Sequence, residues 1–100
     1  RFNFFMEAVQ YDVNNTQVQM CMVIKLQQLQ QEGLAMLTYA NLEDYLQFHL
    51  WKKKQPDGLA QAADQILRLS ASDIVRYLSV QALQEASSKK LSDFSDLLGG

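Results

Sequence analysis

One cysteine, one histidine, one proline and four glycines in 100 residues, with no surplus of positive charge, mark this chain by what it lacks. Each scarcity closes off a class of function. A lone Cys21 excludes an intramolecular disulfide framework, and with His49 as the only histidine there is no set of soft ligands for a structural zinc ion. The glycines, Gly33, Gly58, Gly99 and Gly100, punctuate the chain instead of clustering, so no phosphate-cradling loop is present. A nucleophile elbow and the HExxH and CxxC spacings are also missing. The reading is a protein without catalytic residue, metal or cofactor. The longest apolar run, Met20 to Ile24, falls far short of the roughly 18–20 residues that cross a bilayer. The opening RFNFFMEAVQ has none of the regions of a signal peptide. Neither export nor a membrane span is expected, and a reducing cytoplasm is the natural home. A net charge of −2 and a pI near 5.2 are far from the basic footprint of a strong nucleic-acid binder, so any RNA contact must use a local patch. The chain opens on arginine, the mark of a fragment or an upstream extension, with Met6, Met20 and Met22 as internal start candidates.

What is there suits one small globular domain, with 48% hydrophobic and 20% charged residues, enough to bury roughly 60–70% of the unfolded surface. Acidic residues outnumber basic ones five to two in the first half, and basic outnumber acidic seven to six in the second. The segment 1–13 is aromatic and follows no clean period, so it reads as an irregular extension. Asn14 and Asn15 are good cap residues for a first helix running to Glu32, with Val18, Cys21, Met22, Lys25, Leu26 and Leu29 on one stripe and Gly33 as terminator. Leu34 to Leu37 is a short apolar connection. The central stretch, Thr38 to Gly58, follows. Thr38 or Asn41 can cap a helix whose inner face is Leu42, Tyr45, Leu46, His49 and Leu50. Lys52, Lys53 and Lys54 are expected where its carbonyls run out, before Pro56 and Gly58 end it.

Asp57 is the expected cap of a third helix with Leu59, Ala62, Ala63, Ile66 and Leu67 inside. Ser70 and Asp73 make a variant capping box for a fourth, carrying Ile74, Tyr77 and Leu78. Ser79 to Ala86 either continues it or bends away as a fifth helix; Ser87 and Ser88 read as a loop, and 89–100 as a short amphipathic tail. Such short helices are stable only by burying one another's stripes. The fold class is therefore all-α, a single-domain bundle of four or five short helices over residues 14–88. Its expected core is Leu26, Leu29, Leu42, Leu46, Leu50, Ile66, Leu67, Ile74 and Leu78.

A helix ending in Gly33, then Thr38 with Leu42 and Leu46, then Trp51-Lys52-Lys53, then Ile66-Leu67-Arg68-Leu69 leading to Asp73 and Tyr77, form a pattern over roughly Met20 to Glu85. This pattern resembles the ComN-type post-transcriptional regulators of Gram-positive bacteria. The resemblance implies a cytoplasmic, non-enzymatic, all-helical regulator that acts after transcription, through RNA or through a protein that handles it.

Two candidate sites come from the residues. Trp51 could stack a base while Lys52, Lys53 and Lys54 neutralise phosphates, with Arg68, Arg76, Lys89 and Lys90 extending the patch. The structural alternative makes Trp51 a core plug and the lysines solvated helix-end charges. Phe94, Leu97 and Leu98 form the second candidate, an apolar patch for a protein partner. His49 reads as a core or boundary residue and Cys21 as a small buried apolar group. The partner expectations are an mRNA, an RNA-handling or scaffold protein, or a weak homodimer. A DNA-reading helix-turn-helix is disfavoured, because neither the third nor the fourth helix opens with the Arg, Asn and Gln cluster of base readout.

Overall fold

The computed structural model describes residues 9–99, with side chains described through Ser87. Four α-helices and one π-helical turn account for its regular structure, and no strand occurs among the described residues. The fold is the expected all-α domain.

Helix α1 spans Thr16–Gln31. Asn15 is its cap, the side-chain oxygen accepting from the N–H groups of Gln17 and Val18 at 2.9 and 3.2 Å. Gly33 closes it with φ +127°, a conformation that side chains rarely adopt. The N–H groups of Gly33 and Leu34 then donate to Gln30 and Leu29, the paired bonds of a Schellman motif. The next turn is held by the Gln30 amide, which donates to the Leu37 carbonyl at 2.8 Å.

Helix α2, Tyr39–Tyr45, opens on a full capping box. The Asn41 N–H donates to Thr38 Oγ1 at 3.1 Å, and the Thr38 N–H donates back to Asn41 Oδ1 at 3.0 Å, so the two cap candidates act together. The helix does not continue to the lysines as expected. Leu46–Leu50 winds as a π-helical turn, and the Trp51 N–H donates to Leu46 five residues back, at 2.8 Å. The wider turn rotates the expected inner face: Leu46 and Trp51 are buried, Leu50 is half-buried, and His49 swings out to solvent.

Helix α3, Leu59–Leu67, starts from Gly58 without a side-chain cap. Asp57 does not take that role; its own N–H is held by Gln61 Oε1 at 2.6 Å. Helix α4, Ala71–Gly99, starts as expected, with Ser70 Oγ accepting from the Asp73 N–H at 3.1 Å. It then runs unbroken through Ser79, Ser87 and Ser88, so neither a fifth helix nor the expected loop forms. Its inward residues end at Gln81, and from Ala82 to Ser87 every residue is exposed.

Helix α1 packs on α2 and α3, and α2 packs on α4. The core between them holds Val18, Met22 and Leu29 of α1, Leu42, Tyr45, Leu46 and Trp51, then Ala62, Ile66, Leu69 and Ile74. Of the expected core, Leu26, Leu50 and Leu78 sit at its edge and Leu67 is half exposed. The reason is the end of α3: the chain turns after Leu67, and Leu69 takes the inward position. Lys25, which interrupts the α1 stripe, is only 3% exposed. Its ammonium donates to the Leu67 carbonyl at 2.9 Å and to Gln28 Oε1 at 3.2 Å, placing a cation on the C-terminus of α3.

Candidate functional site

Trp51 is 5% exposed, and its indole N–H donates to Gln65 Oε1 at 2.6 Å. A base cannot reach either face of a ring packed this way, so the stacking platform is excluded and Trp51 is the plug that joins the π turn to α3. Lys52, Lys53 and Lys54 stand exposed in the loop that follows it. Lys54 faces Asp57 at 4.0 Å, Arg68 Nε meets Asp64 at 2.8 Å, and Arg76 faces Asp73 at 3.9 Å. Each of these three cations thus has a carboxylate three or four residues away. Lys52 and Lys53 form no ion pair with a described residue, and Lys25 is consumed in the core. Arg76 lies on the groove described next, whereas Arg68 belongs to the end of α3. Phe94, Leu97 and Leu98, with Lys89 and Lys90, lie outside the residues whose side chains are described.

The structure builds a site that sequence reasoning missed. Between α2 and the first half of α4 lies a groove of about 520 Å³, lined by Tyr45, His49, Asp73, Arg76, Tyr77 and Val80, with Gln81 and Gln84 at one end. Its floor is an aromatic trio. The ring centroids of Tyr45 and His49 lie 5.0 Å apart, and Tyr77 stands 5.3 Å from each, edge-on to Tyr45. Tyr77 is fixed at its hydroxyl, which donates to the Asp44 carbonyl at 3.5 Å and accepts from the Gln81 amide at 2.9 Å. Burial raises the pKa of Tyr45, reinforced by Asp73 and opposed by Arg76. Burial also raises that of Tyr77, reinforced by Asp44 and opposed by the Gln81 hydrogen bond. Both phenols therefore stay protonated at neutral pH and serve as hydrogen-bonding groups.

The three rings touch one another, which leaves no slot between them for a base or an alkylammonium group. Their outer surfaces, with Val80 and the Gln81 and Gln84 amides, form a shallow amphipathic trough rimmed by the Asp73–Arg76 pair. Such a surface suits side chains of another protein, where aromatic anchors and a polar rim meet. No cluster of metal-ligating side chains occurs among the described residues. The one available sequence signal was the four-residue spacing of Tyr45 and His49, which puts both on one side of a helix.

The model of the post-transcriptional regulator family matches residues 11–93. The chain belongs to that family. Comparison with curated proteins and with solved structures gave no match. The family segment takes in all of α1, α2 and α3, both walls of the groove and the lysine loop. No helix among the described residues is long and apolar enough to cross a membrane.

Proposed function

We propose that this member of the family acts after transcription without catalysing a reaction, as a cytoplasmic adaptor of the ComN type that docks an RNA-handling protein in the groove between α2 and α4. The distribution of charge carries this reading. With Lys54, Arg68 and Arg76 each matched by a nearby carboxylate, Lys52 and Lys53 are left to meet a polyanion, and two phosphate contacts give only weak binding at cellular salt. The groove offers aromatic anchors, an apolar wall and hydrogen-bonding amides on a rigid seat. No cofactor or metal is needed for such a role.

The test sets two variants against two assays. Val80→Asp is half exposed and should fold, yet it places a charge on the apolar wall; it should remove capture of the RNA-handling partner from cell extract. Replacing Lys52, Lys53 and Lys54 by glutamine should leave that capture nearly intact, because rim charges act mainly on association rate. A gel shift of total cellular RNA at physiological salt that survives Val80→Asp and disappears with the lysine variant would overturn the adaptor reading. It would support the second one, direct RNA contact, which the three consecutive exposed lysines, beginning three residues after the groove residue His49, favour.

A further inference from the structure

Helix α1 carries Lys25 as its only charge, and that residue points into the core. The side facing solvent is Thr16, Met20, Val23, Ile24, Gln27 and Gln31, spaced at three and four residues and all exposed. Met20, Val23 and Ile24 are 62%, 45% and 59% exposed, an apolar centre on a face with no formal charge. Glu32 lies about a third of a turn off that face, where its carboxylate accepts from the Gln28 amide at 3.0 Å. The exposed apolar residues of α4, Val75, Val80 and Leu83, are by contrast interspersed with Asp73, Arg76 and Glu85.

We infer that the outer face of α1 is a self-association surface, and that its occupant is α1 of a second copy lying antiparallel across a two-fold axis. Charge and register both support this occupant. Complementary charge is one means of selecting a different partner, and this face offers none; with no charge on it, two copies of the face meet without like-charge repulsion. The stripe also maps onto itself. Reversing the helix about a point between Val23 and Ile24 sets these two opposite each other, Met20 opposite Gln27, and Thr16 opposite Gln31. Apolar side chains then meet at the axis, uncharged hydrogen-bonding groups meet at the ends, and the helix dipoles oppose. A 16-residue helix is about 24 Å long, and pairing two such faces buries roughly 1,000 Å² in total. That is the low end of specific interfaces and corresponds to a weak, concentration-dependent dimer. The dimer would present two copies of the α2–α4 groove.

Sedimentation equilibrium of the full chain from micromolar to millimolar concentration tests the inference, together with Ile24→Glu. The expected result is a reversible dimer whose dissociation constant rises by ~10-fold or more in the variant, because two carboxylates are then brought close together beside the axis, each against an apolar Val23. The melting temperature measured at dilution should not change, since Ile24 is exposed. A second measurement fixes the geometry. In a Cys21→Ala background, Thr16→Cys combined with Gln31→Cys should give a doubly bridged dimer on mild oxidation. Within one helix the two positions are ~22 Å apart, beyond the reach of a disulfide. A chain that stays monomeric at millimolar concentration, a dimer indifferent to Ile24→Glu, or bridging only between identical positions would overturn the proposal. So would a large fall in the monomer's melting temperature with Ile24→Glu, which would mean that the chain itself covers this face.

Discussion

Leu46 stands where α2 passes into the π turn, fully buried, with its carbonyl accepting the Trp51 N–H. Truncating it to alanine removes a fully buried apolar side chain from the core and leaves a cavity in its place. The expected loss is ~2–5 kcal/mol of stability, measured by denaturant unfolding. A fall of only a few tenths would mean that the junction is not the centre of the core. The tyrosines set a different dependence. Tyr39, Tyr45 and Tyr77 are each raised by burial first, so folding favours their neutral form. Their contribution is complete below the ordinary phenol pKa near 10 and is lost as pH rises through the higher folded value. Stability should therefore be insensitive to these groups from neutral to mildly alkaline pH and fall above it. Tyr45→Phe should soften that alkaline fall, which a melting series across pH would show.

At the scale of elements, the caps were readable apart from Asp57, and the interruptions were not. Asn15, Thr38 with Asn41, Ser70 and Gly33 act through bonds to residues two to five positions away, so their chemistry is complete in the local sequence. The π turn has no such signature. It accompanies a buried Trp51 whose indole N–H donates to Gln65, and Gln65 lies fourteen residues away. At the end of α4, the local pattern of serines suggested a break that the continuous helix does not make. This helix has two regimes. Ile74, Tyr77 and Leu78 pack in or against the core, Gln81 is half-buried, and the residues from Ala82 to Ser87 are all exposed. Amide hydrogen exchange should show strong protection from Ile74 to Gln81 and much weaker protection from Ala82 to Ser87. Correspondingly, Leu83→Ser, at a position 68% exposed, should change stability by no more than about 0.5 kcal/mol. Equal protection along both halves would show that the second half is docked.

For the whole molecule, charge is the deciding quantity. A chain of net charge −2 in which Lys54, Arg68 and Arg76 each face a neighbouring carboxylate has little positive field to steer it onto RNA. If RNA is nevertheless the partner, replacing Lys52, Lys53 and Lys54 by glutamine should weaken binding evenly across sequences and reduce the salt slope by about three units at most. Folding should survive, because all three side chains are exposed. Titration of binding against salt, for parent and variant, measures both effects. A larger change in slope would require basic groups beyond this loop.

By itself the sequence determined the class of fold and where most helices begin, because three- and four-residue apolar spacing and side-chain caps are short-range facts that any tertiary arrangement must respect. It determined the family too, since the Gly33, Thr38, Trp51-Lys52-Lys53 and Asp73-Tyr77 pattern lies within the matched segment. Tertiary structure alone decided which way the central aromatic and cationic residues face. Whether Trp51 stacks bases or plugs the core depends on Gln65, whether His49 is buried depends on the π turn, and whether Lys25 is tolerated inside depends on a carbonyl 42 residues away. The groove depends on Tyr77 arriving beside Tyr45 and His49 from another helix. These outcomes are set by partners distant in the chain, and a local pattern carries no record of them because burial is a property of the pair that packs, not of either residue alone.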